Sequence, residues 1–249
     1  MLRQTCRCLS VFAIMGMASA ASAALTVNSD FQTGPGASAT FTPTYTVDGP
    51  DLLAGLTPTA STGDFTTETT AGTRVLTDGS FGTLPIYTGA ASTKTNVAAT
   101  GPGAGRSVTY TLASPSTITE IEVLGGWSDN GRDAQNYGVS IATGGSSTFT
   151  PLNLSGATVS SGTASVTGNN VAYNPAAPGG VQVANRTTIT DSLGAALATN
   201  VTAIRFNFGA VENNYTGTAE LAVVGIPEPT AFGLLGVGGL GLLARRRRP

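Results

Sequence analysis

Residues 107–124 read SVTYTLASPSTITEIEVL, and this stretch decides the fold class. Val108, Tyr110 and Leu112 fall on one face of an extended chain, with Ser107, Thr109 and Thr111 on the other. Pro115 and Ser116 then predict a turn. From Ile118 to Leu124 the alternation resumes, with Ile121 and Val123 set against Glu120 and Glu122. A period of two puts successive side chains on opposite faces of a strand. Outward from here the pattern recurs in short runs rich in Val, Ile, Thr, Phe and Tyr, parted by Gly, Pro, Asn and Asp. Leu25–Val27, Ala39–Val47, Arg74–Leu76, Tyr137–Ile141, Ser147–Leu154, Val181–Ile189, Val201–Phe208 and Ala219–Val224 all read this way. Between Ala24 and Gly225 no ten-residue amphipathic helix is legible. The expected fold class is all-β, a jelly roll or β-sandwich of about eight to ten short strands.

Both ends differ from this body. Arg3 and Arg7 give a basic start, Leu9 to Ala18 is apolar, and Ala21-Ser22-Ala23 is a small-x-small cleavage site. That is the pattern of a secretory signal peptide over 1–23, too short and too interrupted by Gly16 to be a stable span. Cys6 and Cys8 lie inside it and would leave with it. At the other end, Pro227-Glu228-Pro229 precedes an uncharged segment, 231–244, and then Arg245, Arg246, Arg247 and Arg248. As a helix, that segment would span about 21 Å at 1.5 Å per residue, against a bilayer core of about 30 Å. Five glycines weaken it further. It predicts a short hydrophobic helix that stops transiently in a membrane, with the arginines held at the cytoplasmic face. The prolines keep the preceding backbone extended, in a form that a processing enzyme can grip.

Triplet, apolar segment and basic end, in that order, resemble the PEP-CTERM sorting signal of bacterial envelope proteins, here over 226–249. Ile226 stands where valine is more usual in that family. The resemblance covers about a tenth of the chain. It implies an exosortase-type membrane transpeptidase as partner, removal of the apolar segment, and export to the cell envelope, cell surface or extracellular matrix of a bacterium.

Between the ends, 24–225 suits a single ectodomain large enough to bury a core. The whole chain has a formal charge of −2, but six of its basic residues lie in the two ends. Within 24–225 acidic side chains outnumber basic ones by roughly two to one, which disfavours a phosphate backbone or a stable anionic membrane partner. The region has no Cys, so packing or a bound ion must hold it in an oxidising compartment. The chain has no His, which removes the usual general base, the Ser-His-Asp triad and the usual zinc site.

Thr77-Asp78-Gly79, the paired runs Val108–Leu112 and Ile118–Val123, and the late runs Ala203–Phe206 and Ala219–Gly225 follow one another in an order of their own. That order resembles the galactose-binding-like jelly roll of discoidin, or F5/8 type C, domains and of many carbohydrate-binding modules. It extends over about 75–225. The resemblance implies a structural calcium held by an early-loop Asp and a last-strand Glu, which by position are Asp78 and Glu220. Calcium takes hard oxygen ligands. The tryptophan that commonly follows the early Asp-Gly in this family is missing, with only Phe81 and Tyr87 nearby.

The densest polar cluster is 126–137, with the only Trp of the chain. An aromatic platform ringed by planar hydrogen-bonding groups is what a sugar needs. Trp127, Asp129, Arg132, Asp133 and Gln135 are the candidate ligand-binding residues. The opposing reading is a structural loop with Trp127 packed on the core. Two carboxylate pairs, Glu120/Glu122 and Asp129/Asp133, invite a glycosidase reading, but nothing places two acids across a cleft. Glu120 and Glu122 look like a solvated strand face. The sequence thus predicts a non-catalytic exported protein, carbohydrate-binding or purely structural, with a carbohydrate-active enzyme third.

Overall fold

The computed structural model describes residues 24–229 apart from 37–38, 67–71, 85–97, 101–104, 129–130, 161, 210 and 213–214. The expected signal peptide, the apolar segment 231–244 and Arg245 to Arg248 lie outside the described residues. Among the described residues no helix is long and apolar enough to cross a membrane.

Twelve strands are present among the described residues: β1 (Leu25–Thr33), β2 (Ala60–Thr62), β3 (Ala98–Thr100), β4 (Arg106–Trp127), β5 (Gln135–Thr143), β6 (Thr150–Pro151), β7 (Thr158–Val159), β8 (Ser165–Thr167), β9 (Asn170–Tyr173), β10 (Val183–Asp191), β11 (Ala198–Phe208) and β12 (Thr216–Pro227). The all-β expectation holds. The spatial order is β7-β1-β10-β4-β11-β5-β9-β8, with β12 and β2 also on β4, β3 on β12 and β6 on β5.

β4 organises this layout, and it does so without the turn expected at Pro115. The strand runs on for 22 residues. Proline lacks an N–H and is tolerated where a strand bends. Here β11 bridges the bend: Ala198 lies opposite Ile118, and Ala203 to Phe208 lie opposite Thr111 to Arg106, with register shifts between. The first half of β4 pairs with β2 and β11. The second half pairs with β10 and β12. The sheet thereby folds over on β4 and encloses one core. Val108 and Tyr110 meet Ile121, Val123, Ile204, Phe206, Leu221 and Val223 there, none more than 1% exposed. Each such side chain contributes about 1.5–3 kcal/mol on burial.

Two expected strands are absent. Val75 and Leu76 lie in a 3-10 helix, Gly72–Thr77, whose end is tied down by Thr77 Oγ1 donating to Leu56 O at 2.7 Å. A short apolar pair can be buried by either conformation, and the tether decides. Residues 39–47 make one isolated bridge, Phe41 to Leu84. They cross the outer face of the sheet, where Phe41, Tyr45 and Val47 pack on Phe81, Leu84, Leu124 and Trp127.

This covering segment continues along β12. Asp51 Oδ1 accepts from Leu53 N and Val223 N, both at 2.9 Å, and Leu52 N donates to Val223 O. Asp51→Ala strands both donors. It is expected to cost about 1–3 kcal/mol, read as a lowered thermal midpoint. Asp51→Asn keeps an acceptor and should cost less.

Candidate functional site

The loop after β4 turns its polar residues inward. Trp127 is 1% exposed, so it offers no open face to a sugar. The Arg132 guanidinium lies over its ring at 5.1 Å and over Tyr215 at 4.4 Å. Gln135 is buried in a hydrogen-bond chain: its Nε2 donates to Val123 O and Asn185 Oδ1, its Oε1 accepts from Thr187, and Thr187 meets Tyr137 OH at 2.7 Å. Asp133 is also buried, and its carbonyl accepts from Asn185 Nδ2. The structure thus packs Trp127 into the interior instead of leaving it as an open platform, holds Gln135 in that hydrogen-bond chain, and rests the half-buried Arg132 on the two rings. Asp129 lies outside the described residues.

Asp78 and Glu220, far apart in sequence, do converge. Gly79 takes the left-handed φ of +80° that swings its N–H toward β12. That N–H donates to Glu220 Oε2 at 3.2 Å, while Asp78 Oδ1 accepts from Ser80 N. Glu220 is fully buried, and its Oε1 has no hydrogen-bond donor. Burial pushes its carboxyl up to about 8, offset in part by Gly79 N–H and reinforced by the charges of Asp78 and Asp51. A buried carboxylate oxygen without a donor, beside a second carboxylate on a loop, suits a hard divalent cation.

Two open concavities flank the covering segment. One, of about 560 Å³, runs between residues 42–47 and 79–83. Thr42, Tyr45, Thr46, Ser80 and Thr83 line it. Thr42 and Thr83 join their hydroxyls across it at 2.8 Å. The other, of about 370 Å³, lies on the outer face of β1, β10 and β4, with Asp30, Asp48, Glu120 and Arg186 in its wall. Arg186 meets Asp30 at 3.3 Å and Asp48 at 3.9 Å, and covers the Tyr45 ring at 5.2 Å. Sequence reading missed this group. It also misjudged the Glu120/Glu122 face, because Glu122 is fully buried under the covering segment.

The C-terminal triplet is docked on the domain. β12 carries Ile226 opposite Thr117 and Pro227 opposite Ser116. Glu228 N donates to Pro115 O at 2.8 Å. Glu228 Oε1 accepts from Asn200 N at 2.6 Å and from Thr117 Oγ1 at 3.0 Å. Residues 225–248 match the PEP-CTERM protein-sorting motif. The chain carries this sorting signal. The PEP-CTERM glutamate is thus held by the second half of β4 and by the start of β11, just past the end of the last strand at Pro227.

No curated protein matches the chain. Solved structures similar to it include an F5/8 type C domain from Bacteroides fragilis, at 14% identity over 68% of this chain and 94% of that one, TM-score 0.39. A CBM32 module from a family 31 glycoside hydrolase of Clostridium perfringens aligns at 14% identity over 70% and 94%, TM-score 0.42. The CBM32 of AlyQ, solved with 4,5-unsaturated mannuronic acid, aligns at 12% identity over 67% and 95%, TM-score 0.36.

Proposed function

We propose that this is an exported, non-catalytic protein of a bacterial cell envelope, surface or matrix, which binds polysaccharide in a cleft supported by calcium. The sorting motif at 225–248 carries the first half. It supports an exosortase-type membrane enzyme as the processing partner and a transient membrane association through the apolar segment. The ectodomain is 24–225, freed of the signal peptide 1–23.

The second half is supported by the cleft between 42–47 and 79–83. Hydroxyls of Thr42, Thr46, Ser80 and Thr83 can exchange hydrogen bonds with sugar hydroxyls, and Tyr45 adds an aromatic surface. Calcium on Asp78 and Glu220 would fix the loop that forms one wall. The chain's own part is then to present an open, hydroxyl-lined groove.

The purified exported protein, screened on a polysaccharide panel, is expected to bind at least one glycan with calcium and to lose about tenfold or more with chelator, or in Asp78→Asn. Folded protein that binds nothing in either condition would overturn the cleft. The burial of Trp127 favours that second reading, a structural surface protein without a ligand.

A further inference from the structure

A second acidic group lies apart from Asp78 and Glu220. Carboxylate oxygens of Asp48, Glu120 and Glu122 all sit within 4.8 Å of one another. Glu120 and Glu122 share one face of β4, and Asp48 is delivered from the covering segment. Like charges this close repel strongly away from bulk water.

The group has a feature that an ordinary acidic surface lacks. Glu122 has no exposed surface. Its Oε1 accepts Asp48 N–H at 2.9 Å, and its Oε2 is buried with no hydrogen-bond donor unless a proton sits between it and Glu120. A buried carboxylate oxygen left without a donor is costly, and native structures keep few of them. The nearest cation, Arg186, is directed to Asp30 at 3.3 Å and reaches only Asp48 of the three, at 3.9 Å. Asp30, Asp48, Glu120 and Glu122 thus surround one guanidinium. The concavity beside them, about 370 Å³, adds oxygens of Asn28, Thr188 and Thr190. That is room for an ion with several waters.

We propose that Asp48, Glu120 and Glu122 bind a divalent cation of calcium size, at a site distinct from Asp78 and Glu220. The ion supplies Glu122 Oε2 with its missing partner and offsets the surplus negative charge. It also pins the covering segment to β4, and with it the Tyr45 wall of the cleft. Calcium on Asp78 and Glu220 holds one wall and this ion holds the other. Burial and the neighbouring carboxylates push Glu120 up to about 7 and Glu122 upward, so without an ion the pair can share a proton. That proton is the competing occupant.

The test is calorimetric titration of chelator-treated protein with calcium chloride at pH 7.5, with circular dichroism to confirm folding. Wild type is expected to bind two ions with Kd of about 1 mM or tighter, the range of extracellular modules. Glu220→Gln should keep one, Glu122→Gln should keep one, and the double variant none. Asp48→Asn, at an exposed position, repeats the Glu122→Gln result without touching the interior. If folded Glu220→Gln binds no calcium, or if Asp48→Asn and Glu122→Gln leave its remaining ion in place, the proposal is overturned and a shared proton occupies the group. Where wild type still binds one ion that Glu220→Gln loses, the Asp78/Glu220 reading stands; a wild type that binds none overturns both. If wild type binds a single ion that Glu220→Gln keeps and Glu122→Gln loses, the Asp78/Glu220 reading is overturned instead.

Discussion

Trp127→Ala is expected to lower unfolding stability by about 3–5 kcal/mol, while polysaccharide affinity of the protein that remains folded stays within about twofold. The ring is 1% exposed and packs in the outer cluster with Phe81, Leu84, Leu124, Ala184 and Ala219. Its surroundings cannot close over the space. A Cβ on Gly217 would already sit 2.8 Å from the indole Cε3, so the backbone of β12 approaches the ring closely there. β4 and β12 are held by their ladder, and the cavity would persist. Truncation also removes the surface on which Arg132 rests at 5.1 Å. Urea unfolding measures the first quantity, and titration with a glycan from the panel the second. Loss of affinity at unchanged stability would reverse the assignment and return Trp127 to a ligand platform.

The strands were legible where alternation and neighbours agree. Val108, Tyr110, Ile121, Val123, Ile204 and Phe206 all point to one core, and the sequence pattern marks each of them. Pro115 was misread because a lone proline between two alternating runs looks the same whether the chain reverses or bends. Only pairing across it distinguishes the two cases, and β11 supplies that pairing from about ninety residues downstream. Glu122 was misread for a related reason. Alternation sets its face, but whether water reaches that face depends on residues 39–53, whose first part alternates as a strand would yet forms only isolated bridges at Phe41 and Asp51. Nothing local to Asp78 or Glu220 announces the other, and the hydrogen bond from Gly79 N–H to Glu220 exists only in the folded chain. Glu228 illustrates the same limit. The sorting triplet is plain in the sequence, but its seat on Thr117 and Asn200 exists only once the corner of β4 has formed.

In chelator, stability is expected to fall as pH rises from about 5 to about 8. Glu220 carries the largest share. Its folded carboxyl is pushed up to about 8 from an ordinary value of 4.5, chiefly because burial disfavours the charged form. The folded state therefore holds a proton that the unfolded state has released, and stability declines with pH between those two values. Below about 4.5 both states are protonated, and above about 8 both are ionised, so the slope vanishes outside the window. One group following this course contributes about 1.4 kcal/mol per pH unit, or roughly 4–5 kcal/mol across the interval. Glu120, also raised, adds a contribution of the same sign. Glu220→Gln keeps an acceptor for Gly79 N–H and carries no charge, so in chelator it should exceed wild type in stability at pH 8 and match it near pH 5. Saturating calcium should flatten the wild-type profile, because a cation stabilises the ionised carboxylate that burial penalises. Urea denaturation at pH 5, 6.5 and 8 reads all three comparisons. A wild-type profile that is flat in chelator, or a Glu220→Gln variant no more stable at pH 8, would mean that Glu220 is ionised and satisfied in the folded protein without a metal.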